Sequence, residues 1–295
     1  MKSIITILFI FIATSLKAQI IRANGYYVSP TVVCKILNSD SIPAFSFSFR
    51  KINTCTYAGY CIKVRRASDN TTSDIGFLAG YIDTVALKSF IGSSDAFVQT
   101  GFDQSGNGRD VTQATLSMQP KIATAGALIY ANDGTHKFLA MQFDGVNDIL
   151  VYTFGASYGV FSFFGVSKRV SGLFDPIAFG QSASVNVAIL RNNNSTTQAM
   201  SAYNITTAAT GTANLNVNFC GGVFTLSSLF STDGNTTATS SATGGTYFNA
   251  LALGGTARIS PIYTSGLLCE AIAYLKDMTS SYTLIQSNIK TYYGL

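Results

Sequence analysis

Nine residues, FDQSGNGRD at 102–110, gather oxygen ligands and glycines in one place. Asp103, Asn107 and Asp110 offer hard oxygen atoms, and Gly106, Asn107 and Gly108 tolerate positive φ. A loop of that make-up could hold calcium, cradle a phosphate, line a sugar site or turn the chain. Calcium on Asp103, Asn107 and Asp110 has suitable donor atoms but lacks EF-hand spacing. A phosphate cradle needs a helix N-terminus after the glycines, and VTQAT is a poor helix start. The leading reading is structural: Asp103 caps backbone amides, while Gly106, Asn107 and Gly108 make the turn. No metal centre and no cofactor is implied. There is no CxxC, and the single histidine, His136, sits in the turn NDGTH.

The other acids are scattered. Glu270 is the sole glutamate and lies inside an apolar run, where accepting buried hydrogen bonds suits it better than chemistry. In FDGVND, Asp144 and Gly145 read as a turn, with Asp148 capping the strand that follows. Arg65, Arg66, Asp69 and Asp74 read as a local cluster of salt bridges and turns. An enzyme working by an unrelated acid pair would draw on residues such as Asp175 and Asp233.

The elements that must position these groups begin after a leader. Residues 1–18 carry a basic start at Lys2, an apolar run from Ile4 to Ala13, and a small Ala18 before Gln19. This predicts a secretory signal peptide cleaved after Ala18, since a spanning helix needs roughly 20 apolar residues. The mature chain is expected to be secreted, periplasmic or extracellular, with no membrane span. Losing Lys2 and Lys17 lowers its formal charge from +5 to +3, 17 basic groups against 14 acidic. Only 11% of residues are charged and the excess is spread out, which argues against nucleic acid as a partner. The five cysteines, Cys34, Cys55, Cys61, Cys220 and Cys269, cannot all pair within the chain. Cys55 and Cys61 flank TYAGY and could close a short loop; buried unpaired thiols are the competing reading.

AFSFSFRKINTCTYAG (44–59) fits helical spacing at Ala44, Phe45, Phe49 and Ile52, while FSFSF alternates like a strand. We expect a helix near 45–57. Asp83 should N-cap a helix over 84–91 that ends at Gly92, and a terminal helix is expected near 279–292. The rest is short apolar runs, such as FLAMQF, DILVYTF, GVFSFFGVS and LLCEAIAYL, separated by turns. That pattern predicts an all-β sandwich or barrel. With no composition break and no repeat, residues 19–295 read as a single β-sandwich domain, with a helical or extended lead-in over about 19–60.

Residues 57–77, YAGYCIKVRRASDNTTSDIGF, followed by FDQSGNGRDVTQ and QPKI, resemble the N-terminal part of the arabinofuranosidase B family's catalytic domain. Phe102 replaces the usual Tyr of that family, and Arg109 stands where Asn is common. FDGVNDILV and the closing CEAIAYLKDMTSSYTLIQSNIKTYYGL resemble laminin-G-like and concanavalin A-like lectin sandwiches. The resemblance implies an all-β, concanavalin A-like jelly-roll sandwich. It also implies what catalysis would need, because the family is a retaining glycosidase with two carboxylates about 5 Å apart. Its acid lies in a G-G-D-N-S segment; here LALGGTARIS places Thr256 at that position, and a threonine cannot protonate a leaving glycoside. Its nucleophile lies in a D-L/M-E-N strand, whose counterpart VNVAILRNNN holds no acid. The family's adjacent Cys-Cys pair is missing too.

The expectation is therefore an exported, lectin-like module that binds carbohydrate or serves adhesion, with no catalytic residues. The alternative is a retaining α-L-arabinofuranosidase, and a second is a structural protein of a secreted or viral assembly. Carbohydrate, or a cell-surface glycan, is the expected partner. With 15 Tyr and no Trp, Tyr would have to supply the sugar-stacking rings, and no residues are assigned to that site.

Overall fold

The computed structural model describes residues 41–53, 56–132, 134–171, 217–225, 248–257 and 261–295, with Leu37 and Ser39. It also describes the backbones of strands at 22–23, 26–27, 174–180, 187–192, 198–202, 205–207, 229–233 and 236–240. Contacts divide the chain into Met1–Cys34 and Lys35–Leu295. In the first unit Arg22–Ala23 pairs antiparallel with Tyr26–Tyr27; the expected leader, residues 1–18, lies outside the described residues. The second unit holds everything below.

Its organising strand is Ser265–Tyr274. One edge pairs along its length with Phe161–Ser171, from Ser162 opposite Tyr274 to Ser171 opposite Ser265. The other edge takes two strands end to end, Met141–Asp144 against 265–268 and Phe45–Ser48 against 270–273. Phe161–Ser171 continues to Asn218–Phe224. A second arm of the same antiparallel sheet runs through Ile62–Arg66, Ala96–Gly101, Val111–Thr112, Leu150–Tyr158 and Phe248–Leu253. Lys121–Thr124 bridges the two, pairing with both Ala96–Gly101 and Met141–Asp144.

Both arms bury side chains in one core, which includes Phe45, Phe47, Phe161 and Phe163 from the first and Val64, Val98, Leu150 and Leu253 from the second. The first arm is covered on its outer face as well. The terminal helix Tyr282–Tyr293 lays Tyr282, Ile285, Ile289 and Tyr293, a 3.6-residue stripe, onto Phe164, Phe219 and Tyr274. Covering on both faces explains why LLCEAIAY is apolar at nearly every position rather than alternating.

The two helices expected at 84–91 and near 279–292 form as Thr84–Ile91 and Tyr282–Tyr293. Asp83 Oδ1 accepts from the amides of Val85 (3.0 Å) and Ala86 (2.9 Å), and Gly92 closes the C-terminus at φ 57°. The helix expected near 45–57 does not form. Phe45–Ser48 is a strand, with Phe45, Phe47 and Phe49 in the core. Pairing with Glu270–Ala273, remote in sequence, overrides the local helical spacing. Cys61 and Cys269 are buried free thiols, and Cys61 donates to the Ser48 carbonyl at 3.3 Å; Cys55, its candidate bridge partner, lies outside the described residues. Among the described residues no helix is long and apolar enough to cross a membrane.

Candidate active site

The 102–110 loop is held by its own acids. Asp103, 3% exposed, accepts from Ser46 N (2.9 Å) and Ser105 N (2.8 Å) at Oδ1, and from Ser105 Oγ (2.7 Å) and Arg109 N (3.1 Å) at Oδ2. Asp110 accepts from Asp103 N at 2.8 Å, and burial beside Asp103 raises its pKa. Asn107 donates to the Pro43 carbonyl at 2.9 Å. Gly106 and Gly108 take φ of 91° and 68°. With Asp103's oxygens turned to these donors, the loop presents no open ligand cage. Among the described residues no three His, Cys, Asp or Glu side chains gather around a metal position.

Glu270 is fully buried and bound on all sides. Arg50 donates to it twice, Nε to Oε2 at 2.7 Å and Nη2 to Oε1 at 2.9 Å, and Ser48 Oγ donates at 2.8 Å. Burial alone would depress the Arg50 guanidinium, but the Glu270 charge outweighs it and holds the group above its ordinary value. A carboxylate so paired and so closed off has no route to a substrate. Thr256 is buried too, and its Oγ1 accepts from Ile262 N at 2.8 Å. Asp175 and Asp233 sit on the strands Phe174–Gly180 and Leu229–Asp233, and their side chains lie outside the described residues.

A cleft of about 640 Å³ opens elsewhere, where Ile62–Arg66, Ala96–Gly101, Lys121–Thr124 and the end of Met141–Asp144 converge. Asp144 and Asp148 both line it. Asp144 Oδ1 accepts from the amides of Val146 (2.8 Å), Asn147 (3.1 Å) and Asp148 (3.3 Å), closing the FDGVND turn. Asp148 Oδ2 accepts from Asp144 N at 3.0 Å, so Asp148 locks its own turn. Burial, then the nearby Asp144 charge, pushes the Asp148 carboxyl up to about 7. Lys121 lines the same wall, its Nζ on Asp95 Oδ2 at 2.9 Å.

The expected Arg65, Arg66, Asp69 and Asp74 cluster divides. Arg66 pairs with Asp69, and Lys63 pairs with Asp74 at 3.6 Å. Arg65 is on the face of the strand opposite to Arg66, as a period of two requires, and enters the cleft wall. Its Nε donates to Gln119 Oε1 at 2.7 Å and its Nη1 to Asn70 Oδ1 at 2.7 Å. The alternation of CIKVRR held the signal that separates the two arginines.

Residues 33–160 match the family model described as alpha-L-arabinofuranosidase B, catalytic. An alpha-L-arabinofuranosidase B of Emericella nidulans is 36% identical over 84 residues, 28% of this chain and 16% of that protein. A GH54 α-L-arabinofuranosidase variant soaked with 4-nitrophenyl α-L-arabinofuranoside superposes with a TM-score of 0.67 at 15% identity. An arabinofuranosidase complexed with arabinofuranosyl-alpha-1,2-xylobiose gives 0.64 at 16%. Both structural matches cover 85% of this chain and 63% of the other, so the chain spans less than two thirds of these relatives. The expectation of a non-catalytic, lectin-like module is corrected by these matches. Residues 33–160 are similar in sequence to the catalytic domain of alpha-L-arabinofuranosidase B, and 85% of the chain is similar in fold to solved arabinofuranosidases.

Proposed function

We propose that the chain is an exported glycoside hydrolase of the arabinofuranosidase type, on a concanavalin A-like jelly-roll sandwich, with the Asp148 cleft as its active site. One observation carries the reading: every residue lining the cleft, from Arg65 to Asp148, falls inside the 33–160 segment that matches the catalytic-domain family.

Asp148 is the proton donor in this reading. A carboxyl held near 7 is about half protonated at neutral pH and can pass that proton to a leaving glycosidic oxygen. Asp144, four residues earlier on the same turn, supplies the second carboxylate, which faces the positive charge that develops on the sugar ring. The assignment departs from the family's pattern, whose acid position is occupied here by Thr256.

The test is release of 4-nitrophenol from 4-nitrophenyl α-L-arabinofuranoside by the mature chain. Asp148→Asn should lower kcat about 100-fold with an unchanged circular dichroism spectrum. Full activity in that variant moves the acid elsewhere. No release from this or any other nitrophenyl glycoside rejects the hydrolase.

A further inference from the structure

We infer that the cleft takes a sugar that carries a carboxylate, a hexuronate unit, and that Arg65 is the residue that reads it. The inference rests on the hydrolase reading above and names a sugar unit that its substrate carries beside the arabinofuranosyl group.

Arg65 is 6% exposed, yet among the described residues it makes no ion pair. The other cations of its strand are matched, Lys63 by Asp74 and Arg66 by Asp69. Arg65 spends its donors on neutral oxygens, those of Gln119 and Asn70 and, from Nη2, the Leu116 carbonyl at 3.2 Å. Of five guanidinium N–H groups, one on each terminal nitrogen is left. Burial without a counter-ion is costly and pulls the group's pKa down. A planar carboxylate is the anion that such a fork accepts in two parallel bonds.

The rest of the wall says what the carboxylate is attached to. The Phe97 ring lies 4.7 Å from the Arg65 guanidinium carbon and 5.4 Å from Lys121 Nζ. It fixes both cations and gives the cleft an apolar face. Gln142 and Asp144 add acceptors, and the proton-bearing Asp148 a donor, that suit hydroxyl groups. Two acids in the wall would repel a phosphate dianion, whereas a sugar with one negative charge and several hydroxyls satisfies both sets. A volume of about 640 Å³ is within the range of small-ligand sites.

Calorimetric titration of the mature chain with methyl β-D-glucuronide, methyl β-D-glucoside and methyl β-D-glucuronamide tests this. The three share a shape and differ in charge. The glucuronide should bind about tenfold more tightly than either neutral ligand, and Arg65→Lys, which offers no fork, should erase the difference. Should that variant fail to fold, the comparison of the three ligands on the natural chain decides alone. Equal affinity for all three, or binding of none, overturns the inference while the nitrophenyl assay still judges the hydrolase. A glucuronide preference in a protein that cleaves no glycoside retires the hydrolase and keeps the ligand.

Discussion

Arg50 grips Glu270 with two nitrogens, at 2.7 and 2.9 Å, across 220 residues of chain. The pair joins the segment just after the first core strand to the centre of the last one, beneath the terminal helix. Asn288 of that helix accepts from Arg50 Nη1 at 3.2 Å, and the Tyr292 ring lies 4.4 Å from its guanidinium carbon. The only glutamate in the sequence is thus a clamp between two neighbouring segments that lie far apart along the chain.

Breaking the clamp on one side leaves a buried charge alone. Glu270→Gln or Arg50→Met should each cost about 3–5 kcal/mol in urea unfolding. Replacing both residues with apolar ones should recover much of that loss. A Glu270→Gln protein that kept full stability but lost turnover would make Glu270 a catalyst instead.

Asp103→Ala removes an acceptor of four hydrogen bonds in a nearly closed site. About 2–4 kcal/mol should go, more than a surface cap is worth, because the amides of Ser46, Ser105 and Arg109 lose their partner. Urea unfolding checks it, and added calcium should leave the midpoint of both proteins unmoved.

Asp148 makes stability depend on pH. Its folded pKa, about 7, exceeds an ordinary aspartate value of about 3.9, so the folded state holds the extra proton between those limits. The contribution is full below about pH 4 and is lost as pH rises through 7. Three units correspond to about 4 kcal/mol at full strength; since Asp148 fronts an open cleft, about half of that is expected. Melting temperature followed from pH 4.5 to 8 should therefore fall less in Asp148→Asn than in the natural chain.

Gly254, at φ 86°, lies against the Phe143 ring, where an added Cβ would come within 2.0 Å of Cδ1. Gly254→Ala combines backbone strain with overpacking and should cost more than about 3 kcal/mol. Pairing it with Phe143→Leu should restore part of the loss if the ring contact is the larger cause, and none if the strain is. Thermal unfolding of the single and double variants separates them.

Elements whose signals lie within a few residues of one another are set by local sequence. Asp83 and Gly92 bracket their helix within ten residues, and the stripe Tyr282, Ile285, Ile289, Tyr293 needs only a 3.6-residue period. The short apolar runs likewise announced strands, since alternation and turn residues are properties of neighbours along the chain. FSFSF was ambiguous because either periodicity fits five residues. Its partner, Glu270–Ala273, is supplied from the far end of the chain, and only that pairing chooses the strand.

The cleft needed tertiary structure altogether. Nothing near CIKVRR says that Gln119 and Phe97 will enclose Arg65, and nothing in FDGVND says that its second acid will keep a proton near neutrality. Both follow from burial by other strands; at Asp148 the Asp144 charge of its own turn adds to the burial, while Lys121 from another strand opposes it. Residue types and spacing set the strands, the caps and the supply of acids. Which acid is desolvated and which arginine goes without a counter-ion were decided by packing, because dielectric and charge pairing act through space rather than along the sequence.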